Sequence, residues 1–302
     1  MRGLFPTRDN LTDQISYYHL LLFMACLPFD MFYSHIILIS FAIHCIIHFS
    51  KTKTRPVFNW QVLLLTSVFF VTVYSTFYSV NKTAAYNDWG RQITILLFPL
   101  LFCLMPFDFR KYRSALLMGF SLVCTGTVIY LYLNAIHVLG YYQLSLSLIY
   151  SQAFVNHNFS QPIDMHATFF SMQVAIALVY LISVLFKEKE NIYRVFYSAC
   201  IIILCGGLLQ LSSKSIFICL FIIIDIAVPI FLLKGRRRLK YLLIAGVLTI
   251  AATCAILTSG TFRERYIGDL EADLTKTNIG ETSESRISRW KATAELIQKK
   301  PK

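Results

Sequence analysis

Apolar stretches recur along this chain, each closed by a short polar connection. They occupy residues 15–29, 31–49, 60–79, 92–105, 114–135, 166–186, 195–212, 215–233 and 241–258. A helix of roughly twenty such residues matches the hydrocarbon thickness of a bilayer, and a soluble core has no use for so many of them. The pattern therefore predicts an all-α fold, a polytopic transmembrane helical bundle of about nine spans. Runs well short of twenty residues, 92–105 above all, imply tilted or broken helices.

The connections alternate in charge. Basic residues gather at Arg2 and Arg8, at Lys51, Lys53 and Arg55, at Arg110, Lys111 and Arg113, at Lys187, Lys189 and Arg194, and at Lys234, Arg236, Arg237, Arg238 and Lys240. The intervening connections hold Lys82 and Arg91, then no Lys or Arg from Ile136 to Met165, then Lys214 alone. Lysine and arginine are retained on the cytoplasmic side, so the N-terminus is expected inside and the segment after Thr258 outside. Two regions follow, a transmembrane helical domain over 1–258 and a periplasmic loop segment over 259–302. In the latter, Ile287, Trp290, Ala294 and Ile297 recur at helical spacing and predict a polar, amphipathic helix on the outer face. The other long outer stretch, 136–165, predicts a short helix over Leu144–Phe154 at the membrane surface.

Composition strengthens the membrane reading. Hydrophobic residues make up 56% and charged residues 15% of the chain, and the mean hydropathy is +0.59. Soluble domains carry nearer ~25% charged residues. A net charge of +12 invites nucleic acid as a partner, but the cations are scattered among short connections and form no stripe, which argues against it. The eight cysteines all lie inside apolar runs, without Cys-x-x-Cys spacing, and suit packing better than a disulfide framework or a metal site. Residues 1–13 lack the small-residue cleavage site of a signal peptide.

Candidate chemistry lies on the outer side. Lys214, in Leu211-Ser-Ser-Lys-Ser-Ile216, stands between two long apolar runs, where an ammonium either binds a ligand or snorkels to the interface. The preceding Gly206 and Gly207 suit close helix approach. Arg91, after Trp89 at the mouth of the fourth run, fits ligand binding or interfacial anchoring. Arg286 and Arg289 share a helix face, either to grip a phosphate together or simply to be solvated. His157 and His166, with Asp164 between them, can exchange protons near neutral pH or serve as interfacial polar groups. The early histidines His19, His35, His44 and His48 suit packing or hydrogen bonds between helices.

Leu211-Ser-Ser-Lys214 after a glycine-containing span, a basic hairpin, a further span, and then Ser285-Arg-Ile-Ser-Arg-Trp290 together resemble the O-antigen ligase and polymerase superfamily. His166-Ala-Thr-Phe-Phe-Ser171 is similar to the span entry that precedes these motifs there. The resemblance covers roughly residues 160–302, the first half matching in hydropathy alone. It implies a glycosyltransferase of the bacterial inner membrane that works on the periplasmic face without cofactor or metal. The implied donor is an undecaprenyl diphosphate-linked glycan and the implied acceptor a lipid or glycan hydroxyl, with membrane lipids as surroundings. Lys214, Arg289, Arg286 and Arg91 are then the donor-diphosphate ligands. Two departures accompany it. Lys stands at 214 where the family usually has Arg, and the family's catalytic loop histidine would lie beyond Lys302, leaving His157 and His166 as weak substitutes. A chain truncated in this way is expected to catalyse little. The competing readings are a transporter or lipid-glycan flippase, a class that often shows paired repeats and midplane charges where here Asp225 stands alone, and an inactive truncated remnant.

Overall fold

The computed structural model describes residues 10–29, 31–49, 59–104, 107–258, 260–264, 268 and 286–299. Arg2, Arg8, Lys51, Lys53, Arg55 and most of the segment after Thr258 lie outside the described residues. Among those described, every regular element is a helix and no strand occurs.

Each apolar run falls on a helix: α1 (Leu11–Cys26), α2 (Met31–Ile47), α3 (Trp60–Thr76), α4 (Lys82–Leu104), α5 (Phe109–Tyr141), and, past a short α6 (His157–Ser160), α7 (Ala167–Leu185), α8 (Asn191–Leu211), α9 (Lys214–Phe221) and α10 (Gly235–Thr258). Two shorter pieces follow, α11 (Gly260–Arg263) and α12 (Arg286–Lys299). Among the described residues four helices are long and apolar enough to cross a membrane: Phe109–Tyr141, Ala167–Leu185, Asn191–Leu211 and Lys214–Phe231. The stretches Phe32–Ile47 and Trp60–Thr76 are equally apolar but shorter.

The helices are apolar on their outward faces as well as their inward ones. On α7, Phe170, Val174, Ala177, Leu178 and Leu181 are buried at helical spacing, while Phe169, Met172 and Ile176 on the opposite side are exposed. An amphipathic helix of a soluble protein would carry polar residues there, so this surface is made for hydrocarbon. The structure is that of a membrane protein.

The chain forms two compact units, Met1–Val123 and Cys124–Lys302, and the boundary falls within α5. In the first, α1, α2, the end of α4 and the start of α5 share a core that includes Tyr17, Phe41, Leu101, Phe107 and Tyr112. Polar side chains join its helices in pairs. The Ser16 hydroxyl donates to the Thr12 carbonyl (2.7 Å), so it accepts from His44 Nε2 (2.9 Å). His19 Nδ1 donates to the Ile15 carbonyl (2.8 Å), leaving Nε2 to accept from the Ser40 hydroxyl (3.0 Å). These bonds tie α1 to α2, the role expected for histidines in apolar helices. Between α3 and α4, the Thr72 hydroxyl donates to Gln92 Oε1 (2.6 Å) and Trp89 Nε1 donates to Thr76 Oγ1 (2.9 Å). The polar first half of α4, Lys82–Arg91, extends the helix well before the apolar run because Asn81 caps its first turn by accepting from the Ala84 N–H (3.0 Å).

The second unit packs α7 against α8 and α9 against α7. The α8 backbone also comes close to α5: a Cβ added at Gly207 would lie 2.6 and 2.8 Å from the two methyl carbons of Val128. Beyond Phe221 the helix continues as a π-helix over Ile222–Leu232 that contains Pro229. Proline lacks an N–H and its ring collides with the carbonyl four residues earlier, and the wider π turn relieves both conflicts.

Candidate functional site

The site is built around the break between α8 and α9. Helix α8 ends because Ser212 takes the left-handed conformation (φ 50°, ψ 43°), its N–H closing on the carbonyls of Leu208 and Leu209, both at 3.1 Å. A serine pays a steric penalty in that region, of roughly 1 kcal/mol or more, so the surroundings must hold it there. Ser213 then leads into α9, whose first residue is Lys214. Ser212 and Ser213 are buried and Lys214 is half-buried.

Just before the break, Gln210 is fully buried and organises the segment between α5 and α7. Its Nε2 donates to the carbonyls of Ile149 (2.6 Å) and Phe154 (2.5 Å), and its own carbonyl accepts from the Asn156 N–H (2.9 Å). Asn156 is held at positive φ (61°) at this point. The segment it pins is a pair of 3₁₀ turns, Leu146–Tyr150 and Gln152–Phe154, in place of the single short helix expected over Leu144–Phe154. The Ser145 and Ser151 breaks split it, because each adopts an extended conformation that an α-helix cannot continue through. Gln152 Nε2 donates in turn to Glu264 Oε2 (3.3 Å), joining the chain just past α10 to the same cap. The ends of α5, α8 and α10 and the starts of α7 and α9 are thereby gathered on one side of this unit.

The two histidines of the cap are neighbours. Their rings lie 4.0 Å apart, edge to face at 77°. His157 Nδ1 accepts from the Ala167 N–H (3.4 Å) and His166 Nδ1 from the Thr168 N–H (3.2 Å), so both rings cap the first turn of α7. With Nδ1 engaged as an acceptor, the hydrogen of each neutral ring resides on Nε2. Asp164 is exposed in a left-handed turn between them.

Within this constellation two buried atoms have no hydrogen-bond partner, Gln210 Oε1 and Ser212 Oγ. Such atoms are uncommon among the described residues of a packed interior. The other predicted cations stand apart in character. Arg91 is exposed and paired with Asp88 at 3.6 Å on the same helix, and Arg286 and Arg289 occupy the first turn of α12. Among the described residues no group of three metal-binding side chains occurs.

Sequence reasoning passed over Gln210. Its signal was a single amide inside Leu208-Leu-Gln-Leu211, since an amide buried among apolar residues must find hydrogen bonds. A second polar feature lies inside the bundle, where the Thr249 hydroxyl of α10 donates to Asp225 Oδ2 (2.9 Å) in the π-helix. Comparison with protein-family models, curated proteins and solved structures finds no match.

Proposed function

We propose that this chain is a membrane glycosyltransferase of the O-antigen ligase and polymerase type, acting at the periplasmic face of a bacterial inner membrane. On this reading the nine apolar helices all cross the bilayer, with the N-terminus cytoplasmic and residues 259–302 periplasmic. The observation that carries the proposal is the α8–α9 break, where half-buried Lys214 follows the buried Ser212 and Ser213, and where Gln210 Oε1 and Ser212 Oγ are buried without a hydrogen-bond partner among the described residues.

The chemistry follows from that arrangement. An acceptor hydroxyl attacks the anomeric carbon of the glycan, a new C–O bond forms with inversion, and the bond to the undecaprenyl diphosphate oxygen breaks. Negative charge accumulates on the departing diphosphate in the transition state, and a fixed ammonium in a low-dielectric site opposes that build-up most strongly there. The proton of the acceptor hydroxyl passes to a base, which the family resemblance assigns to the periplasmic loop. Arg286, Arg289 and Arg91 are the further donor-diphosphate ligands of this proposal.

The test is complementation in the native host, read as surface-glycan ladders on a gel. Lys214→Ala is expected to abolish transfer, while Lys214→Arg, which keeps the charge and adds a planar fork, retains it. Normal ladders from Lys214→Ala would overturn the proposal. A second reading, transport, rests on Asp225, a carboxylate in a π-helix within an apolar span. Glycan transfer by purified protein in vesicles without an ion gradient separates the two.

A further inference from the structure

The described side chains of α12 are open to their surroundings. Every residue of the helix from Trp290 to Lys299 is exposed, including Trp290 at 72%, Leu296 at 65% and Ile297 at 62%. A solvated helix has no use for a tryptophan and an isoleucine at that exposure on one face, so something of low polarity covers them.

The helical register identifies the cover. Ile287, Trp290, Ala294 and Ile297 recur every three or four residues and fall on one arc. By the same register Arg286 stands at one edge of that arc and Lys291 at the other, with Arg289 further round beside Leu296. Four cations, Arg286, Arg289, Lys291 and Lys299, face a single acid, Glu295, within the helix. A protein groove that received such a face would have to neutralise cations on both of its rims. A bilayer surface does so by itself, because its acyl boundary takes the apolar arc while the phosphates beside it take the flanking lysines and arginines. Trp290 suits the headgroup layer, where its ring is buried and its N–H stays wet.

We infer that α12 lies in the plane of the membrane, with its Ile287–Trp290–Ile297 arc at the acyl boundary and its cations on the phosphates of anionic phospholipid. This membrane contact is independent of Lys214 but not of the tail arginines: where it forms, Arg286 and Arg289 engage phospholipid phosphate in place of the donor diphosphate.

The experiment uses the full chain in vesicles of brominated phosphatidylglycerol or of brominated phosphatidylcholine, and reads tryptophan emission. Subtracting the spectra of a Trp290→Phe variant isolates Trp290 from Trp60 and Trp89. Trp290 is expected to be quenched by the brominated lipids, more strongly in phosphatidylglycerol, and protected from aqueous iodide. Neutralising the flank as Arg286→Gln/Lys291→Gln should weaken the anionic preference by roughly tenfold and leave the apolar arc intact. Trp290 open to iodide and untouched by brominated lipid would overturn the inference, as would Trp290 shielded from both, which would mean a protein partner or a second copy of the chain. Loss of transfer in Lys214→Ala with an unquenched Trp290 would refute this inference and leave the glycosyltransferase reading standing.

Discussion

Gln210 stands out among the buried side chains because its amide donates to two carbonyls that lie 61 and 56 residues away in the chain. Removing the amide leaves the Ile149 and Phe154 carbonyls without their donor, at a cost of about 1–3 kcal/mol for each buried group that water does not reach. Gln210→Ala should therefore loosen the cap without unfolding α8, which packs independently against α7. Hydrogen exchange of amides 145–160 is expected to accelerate in this variant while that of α7 and α8 stays slow, and unchanged exchange in the cap would show that Gln210 does not pin it. The histidines work at the same scale. His157 and His166 spend their Nδ1 lone pairs on the first amides of α7, so in each neutral ring Nε2 carries the hydrogen and is a hydrogen-bond donor.

At the scale of elements, the approach of α8 to α5 at Val128 depends on the absence of a side chain at one position. A methyl at Gly207 would meet Val128 Cγ1 and Cγ2 at 2.6 and 2.8 Å, closer than packed carbon atoms tolerate, whereas a methyl at Gly206 would meet only the Tyr132 hydroxyl at 3.3 Å. Gly207→Ala must push the helices apart or force Val128 off its rotamer, at about 1–3 kcal/mol. Gly206→Ala needs only a small movement of a tyrosine tip. Thermal unfolding in detergent is expected to show a clear loss of stability for Gly207→Ala and little for Gly206→Ala; equal effects would contradict this packing. Two glycines that look alike in sequence thus differ because only one faces a β-branched residue of another helix.

For the whole molecule, the bilayer and the positions of cations set the arrangement, and sidedness is the property to measure. The cysteines lie within helices, so the wild-type chain gives the background for a membrane-impermeant maleimide. Ser147→Cys, in the outer cap, is expected to react in intact spheroplasts, and Lys189→Cys, in the turn between α7 and α8, only after lysis. The reverse pattern would invert the topology and remove Lys214 from the periplasmic side. Helical class, the location of the apolar helices and the existence of α12 were all legible in the sequence, because hydrophobic length and a period near 3.6 residues are local properties that a bilayer reads directly. Lys214 was legible for the same reason, as a charge stranded between two apolar runs. Its surroundings were not. The burial of Gln210 and Ser212, the capping of α7 by His157 and His166, the bond from Gln152 to Glu264 and the close approach at Gly207 join residues far apart in the chain. Such contacts arise only when helix ends meet on one side of the unit, and no local pattern of apolar and polar residues encodes which ends those are.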